Sequence, residues 1–183
     1  MSEEQVLISQ CIKGEADAQE KLYAQYSKQM YVICLRYTRS QLEAEDVLQE
    51  AFIKIFDKID QFKGETTIGG WIKRIVVNTA LNSQRSKLYM FPMTDVEELT
   101  SHKEEELTLS GFHLEELLAM IRALPEGCQV IFNMYAIEGF SHKEIGGQLN
   151  VSEGTSKSQY SRAKLLLRNM INQEERRSYE RTK

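Results

Sequence analysis

Only two prolines, Pro92 and Pro125, interrupt the 183 residues. Alternating apolar–polar runs are equally scarce, so little of the chain suits a sheet and an all-α fold is expected. No apolar run approaches the roughly 20 residues that span a bilayer, which argues against membrane insertion. Met1-Ser2-Glu3-Glu4 is acidic where a secretory leader is basic, so export is not expected and the reading is cytoplasmic. The three cysteines, Cys11, Cys34 and Cys128, are odd in number and far apart, with no C-x-x-C pair. They read as reduced thiols packed as small apolar groups. His102, His113 and His142 form no helix-spaced ligand pair, so no metal is expected. Nor is there a nucleophile–base pair or a phosphate-binding glycine loop, so neither catalysis nor a cofactor is expected.

A net charge of −4 is a poor match for nucleic acid until it is mapped along the chain. Residues 1–90 hold twelve acidic and twelve basic residues. Residues 91–116 hold eight acidic residues against Lys103 alone, whereas 117–183 hold ten basic residues against seven acidic. The acidity is therefore concentrated between two flanking regions, each able to present a local basic face. The expected layout is two small helical domains, 1–90 and 113–173, joined by an acidic flexible linker over 91–112 and followed by a polar tail, 174–183.

Residues 41–59 carry the strongest helical period. Ala44, Val47, Leu48, Ala51, Phe52, Ile55, Phe56 and Ile59 make one apolar stripe, and Glu43, Asp46, Glu50, Lys54 and Asp57 make the charged side. A loop rich in Gly and Thr follows, Phe62-Lys63-Gly64-Glu65-Thr66-Thr67-Ile68-Gly69-Gly70. A second helix then opens at Trp71 and runs to about Lys87. It contains Lys73, Arg74, Arg85 and Lys87 and no acidic residue. Ile72, Ile75, Val76 and Ala80 turn inward, leaving Arg74, Asn78 and Arg85 on an outward strip with Leu81 and Asn82 nearby. Guanidinium, amide and aromatic groups beside such a loop suit single-stranded DNA, where rings stack on unpaired bases and cations hold the backbone. Phe62 and Trp71 also fit as core. The acidic side around Asp46, Gln49 and Glu50 would repel phosphate and better matches a basic protein surface.

Upstream, residues 5–14 read as a short helix, and Asp17 with Glu20 as a capping box opening a second. Downstream, Leu114, Leu117, Leu118 and Ile121 form a helix stopped at Leu124-Pro125. Val130, Ile131, Met134, Tyr135 and Ile137 form another, ended by Glu138-Gly139. Ser141 caps a short helix, Asn150 tolerates a left-handed turn, Val151 plugs the corner, and Ser152 caps a final helix from Glu153 to about Ile171. That is a helix-turn-helix layout. On the final helix Ser156, Tyr160, Ala163 and Leu167 face inward, with Leu166 and Met170 beside them. Thr155, Lys157, Ser158, Gln159, Ser161, Arg162, Lys164 and Arg168 are expected outside, with donors suited to base edges and phosphates. Gly146 and Gly147 both sit inside the short helix, each at a cost of roughly 1 kcal/mol against alanine.

Ala44-Glu45-Asp46-Val47-Leu48-Gln49-Glu50-Ala51-Phe52, Phe62-Lys63-Gly64-Glu65, Gly70-Trp71-Ile72-Lys73-Arg74-Ile75 and Val77-Asn78-Thr79-Ala80 together resemble the sigma-70 family. More narrowly, they resemble its extracytoplasmic-function (ECF) branch, the small sigma factors with domains 2 and 4 only. Ser141-His142-Lys143-Glu144-Ile145 and Ser152-Glu153-Gly154-Thr155-Ser156-Lys157-Ser158 agree. The resemblance implies that Asp46, Gln49 and Glu50 dock on the β′ clamp helices of RNA polymerase core. It implies that Phe62, Lys63, Gly64, Glu65, Thr66 and Thr67, with Trp71, Arg74, Asn78 and Arg85, engage promoter DNA at the −10 element around a flipped base. Thr155, Lys157, Ser158, Gln159, Ser161 and Arg162 would read the −35 element, the second domain would meet the β flap, and an anti-sigma factor is a further possible partner. Gln159 stands where the family often has Arg, and Gly146 where it often has Ala. Two other readings stay open from the residues alone, a stand-alone helix-turn-helix regulator and a helical adaptor without a DNA role.

Overall fold

The computed structural model describes residues 2–90 and 113–181, with side chains over 2–84 and 113–174. The chain divides into two compact units, Met1–Gln84 and Arg85–Lys183. The acidic segment 91–112 lies outside the described residues, as does the side chain of Arg85. Every described element is helical.

In the first unit, α1 spans Glu3–Ile12, α2 Ala16–Tyr37 and α3 Gln41–Lys58, followed by a 3-10 turn, Ile59–Gln61, and α4, Ile68–Met90. Ser2 opens α1 with a reciprocal cap. Its hydroxyl accepts from the Gln5 amide at 3.2 Å, and the Gln5 side chain accepts from the Ser2 amide at 2.9 Å. The helix thus begins and ends earlier than the sequence suggested. Asp17 is no cap, because α2 already starts at Ala16. Gly14, at φ +78°, turns the chain so sharply that only Lys13, Gly14 and the extended Glu15 separate the helices. Asp17 falls in the first turn, where its charge still favours the helix N-terminus. The core collects Leu22, Met30, Ile33 and Tyr37 of α2, the predicted stripe of α3 from Ala44 to Ile55, and Ile68, Ile72, Val76 and Ala80 of α4.

α4 starts three residues before Trp71 because Thr67 caps it. The Gly70 amide donates to Thr67 Oγ1 at 3.2 Å, and the Trp71 amide to the Thr67 carbonyl at 3.1 Å. Both glycines therefore lie in a helical first turn, and the exposed loop shortens to residues 62–67. Leu81, expected on the outward strip, is buried.

In the second unit, α5 spans Leu114–Ala123, α6 Glu126–Phe132, α7 His142–Leu149 and α8 Glu153–Arg181. Between α6 and α7 the helix widens into a π turn, Asn133–Ile137. The Glu138 amide donates to the Asn133 carbonyl at 2.9 Å, five residues back. The widened turn keeps Met134 buried but carries Tyr135 and Ile137 out to the surface, so the run 130–137 is not one continuous apolar face. α8 runs ten residues past Ile171, through most of the segment read as a polar tail. Residues 172–181 contain neither Gly nor Pro and are rich in Glu and Arg, both good helix formers. Met120, Ile121, Leu124, Cys128 and Phe132 pack with Ala163, Leu167 and Ile171 of α8 as the core.

The corner between α7 and α8 forms as the residues dictate. Ser141 and Glu144 make a capping box, Asn150 is left-handed at φ 56°, and Ser152 Oγ accepts from the Thr155 amide at 2.8 Å. The two adjacent glycines serve different ends. A Cβ on Gly146 would stand 2.9 Å from the Val151 carbonyl oxygen, a backbone atom, so the corner closes only over glycine. A Cβ on Gly147 would meet nothing within 4 Å. Gly147→Ala should therefore raise stability by about 0.5–1 kcal/mol. Gly146→Ala should lower it by forcing the corner open, and paired thermal melts of the two variants check the opposite signs.

Candidate nucleic-acid and protein interfaces

The exposed side of α3 is built by helical spacing. Asp46, Gln49 and Glu50 lie on it in a row, with Leu42 at one end and Ile53 at the other. Leu42 is 69% and Ile53 62% exposed, the most exposed large apolar residues among those described. Sequence reasoning missed both because neither belongs to the inward stripe. Their signal is position, an apolar residue one turn beyond each end of a carboxylate–amide row. Glu50 is held by Lys54 at 2.6 Å, an exposed i,i+4 pair on one helix. Such pairs contribute only a few tenths of a kcal/mol, so an incoming cation displaces Lys54 at little cost.

On α4, Arg74, Asn78 and Asn82 are exposed at intervals of four residues, and Lys73 is half-buried beside them. Next to this strip, Lys63, Gly64, Glu65, Thr66 and Thr67 are all exposed, with Gly64 at φ +73°. Phe62 and Trp71 are half-buried and pack on each other with ring centroids 5.7 Å apart. They brace the two ends of the loop and still show part of each ring to solvent. A Cβ on Gly69 would approach Tyr26 Cε1 to 3.0 Å, so the start of α4 rests closely on α2.

On α8, Lys157 and Ser161 are exposed, and Ser158, Arg162, Lys164 and Arg168 are half-buried. Lys157 is tied to Glu153 at 2.7 Å, again an exposed i,i+4 pair. The Ser158 hydroxyl donates to the Thr155 carbonyl at 3.0 Å and keeps its lone pairs free to accept. Thr155 and Gln159 depart from expectation, being only 6% and 5% exposed. The helix is rotated so that both side chains pack inward, and neither stands on the outer face.

Behind α8, Tyr135 stacks on His142 at 4.1 Å and 11°, Tyr160 packs on Tyr135 at 4.6 Å, and Lys164 lies 5.0 Å over the Tyr160 ring. His142 Nδ1 lies 2.9 Å from Ser156 Oγ, joining α7 to α8. Burial first, then the Lys157 charge, push the His142 pKa below its ordinary 6.5, with Glu153 opposing. Glu144, hydrogen-bonded by Ser141, is also lowered. Among the described residues no group of three metal-ligating side chains occurs, and no helix is long and apolar enough to cross a membrane.

Two family models match the chain, "Sigma-70 region 2" over residues 22–88 and "Sigma-70, region 4" over 114–167. The ECF RNA polymerase sigma-E factor of Escherichia coli K12 is 30% identical over 180 residues, covering 92% of this chain and 94% of that protein. The sigma-E factor of Salmonella typhimurium LT2 matches at the same identity and coverage. Among solved structures, the sigma factor RpoE of Bartonella quintana, in complex with the anti-sigma factor NepR, is similar in fold. Its TM-score is 0.52 at 18% identity, over 84% of this chain and 96% of that one.

The lowered His142 pKa sets a sign for stability. The unfolded state takes up the proton more readily, so the contribution is complete above about pH 6.5 and declines as the pH falls toward the depressed native value. Glu144 and Glu153, also lowered, withdraw theirs only below their ordinary 4.5. The melting temperature of the second unit should thus begin to fall between about pH 7 and 5.5, before the carboxylates titrate. His142→Asn should flatten that limb, and an unchanged slope in the variant would remove His142 as its cause.

Proposed function

From the premise that this chain belongs to the sigma-70 family, as an ECF sigma factor that directs RNA polymerase to promoters and is not an enzyme, we propose how its surfaces divide that work. Asp46, Gln49 and Glu50, flanked by Leu42 and Ile53, dock on the β′ clamp helices of the polymerase core. The loop from Phe62 to Thr67 takes a base flipped from the −10 element, with Trp71 and Phe62 as its walls. Arg74, Asn78 and Arg85 follow the separated strand. Lys157, Ser158, Ser161 and Arg162 read the −35 element from the major groove. Residues 1–90 form sigma domain 2, 91–112 the linker and 113–173 sigma domain 4, which also meets the β flap. The work is cytoplasmic because the polymerase is.

One observation carries this reading. The first unit exposes a row of carboxylate and amide groups with apolar ends on α3, while α4 is free of acid and exposes Arg74 and Asn78. Carboxylates between apolar anchors match a protein surface with cations and apolar hollows, not phosphate. An acid-free helix with an aromatic-walled loop beside it matches single-stranded nucleic acid. Trapping the flipped base offsets the few kcal/mol of unpairing, so opening requires no fuel. An anti-sigma factor is a natural negative regulator for such surfaces. A stand-alone regulator would need no carboxylate row of this kind.

Two variants separate the surfaces. Asp46→Arg with Glu50→Arg should abolish pull-down of core polymerase while leaving the circular-dichroism spectrum and melting temperature unchanged. Asn78→Ala should retain core binding and closed-complex formation and slow opening, read as delayed permanganate reactivity of bubble thymines. Undiminished pull-down, or bubble opening at the wild-type rate, would remove the corresponding assignment.

A further inference from the structure

The inward turn of Gln159 has a specific partner. Cys128 of α6, fully buried, donates its thiol hydrogen to Gln159 Oε1 at 3.1 Å. Burial raises the Cys128 pKa, against the nearby Arg162 charge, which keeps the thiol protonated as a donor. The bond joins residues 31 apart in sequence, and both of its partners are buried. A buried amide is costly to leave without a partner, so the Cys128–Gln159 bond favours the rotation of α8 in which it forms. Apolar packing alone is non-directional and would fix the rotation less sharply.

Resting on the sigma-factor reading, we propose that Gln159 is a positioning residue: its hydrogen bond with Cys128 fixes the rotation of α8, and so sets −35 sequence choice without touching DNA. The residue three places on, Arg162, and its neighbours Ser158 and Ser161 are aimed by that rotation. At 1.5 Å rise and 100° per residue, a turn of the helix by a few tens of degrees moves a long side chain to a different base pair. Specificity in this chain therefore depends on a pair of buried groups as well as on the exposed ones.

The test uses the full chain assembled with core polymerase on a promoter library randomised at −35, with thermal melts alongside. The wild type should select a defined −35 sequence. Cys128→Ala and Gln159→Leu should each reduce discrimination about fivefold, the equivalent of one hydrogen bond, and should shift the preferred bases in the same way. The double variant should be no worse than Gln159→Leu alone, because the bond the two residues share is lost only once. Cys128→Ser, whose hydroxyl donates in place of the thiol, should restore the wild-type ranking. If Cys128→Ala leaves the ranking intact while Gln159→Leu loses discrimination at one base pair, Gln159 reads that base and the proposal fails. If both variants lower the melting temperature with the ranking unchanged, the bond is structural only and the proposal fails. A wild-type chain that selects no −35 sequence while binding core would overturn the −35 reading itself, a result distinct from either of these.

Discussion

A chain with net charge −4 that works on a polyanion has to keep its carboxylates away from phosphate, and most of this structure is arranged around that constraint. Between Glu65 and Asp95 no acidic residue occurs, and that stretch contains the whole of α4. The carboxylates proposed to dock on polymerase stand instead on α3, in a row bounded by Leu42 and Ile53. In the second unit Glu153, at the start of α8, is paired with Lys157 and also favours the positive end of its own helix. Charge is thus sorted by helix face, which requires that each helix's rotation be fixed, chiefly by its apolar stripe.

The same sorting fits an initiation factor that acts as part of a larger enzyme. On α8 Arg162, Lys164 and Arg168 are half-buried and Lys157 is already engaged, which tempers the attraction of that face to duplex DNA. On the proposed reading, polymerase would supply the remaining contacts and hold both units near one promoter, raising their effective concentration on it. On that reading a tempered attraction would be an advantage, keeping the factor off non-specific DNA before it joins the enzyme.

Much of the fold was legible because its determinants are local. Ser141 with Glu144, Asn150, Ser152 and the stripe from Ala44 to Ile55 each specify their own few residues, and the structure follows them. Where the reading departed, a second signal outweighed the one that was followed. Thr67 starts α4 despite two glycines, since a cap acts at the terminus where glycine costs least. Glu15 leaves no room for Asp17 as a cap because Gly14 has already turned the chain. For the candidate sites, α3 and the exposed residues of α4 could be read from period alone. Thr155 and Gln159 could not, because the period allows several rotations of α8 and the inward contact of Gln159, with Cys128, is made to a residue distant in sequence. The same holds for Gly146, whose reason is a carbonyl of the next turn rather than any propensity.

The central claim, that these sorted surfaces redirect a polymerase, is tested most directly by mapping transcript 5′ ends on total genomic DNA with purified core enzyme, with and without this chain. The account predicts a small set of discrete start sites, sharing upstream sequence near −10 and −35, that appears only when chain and core are present together. Diffuse initiation unchanged by the chain, or tight and specific binding to those upstream sequences by the chain without core, would contradict it.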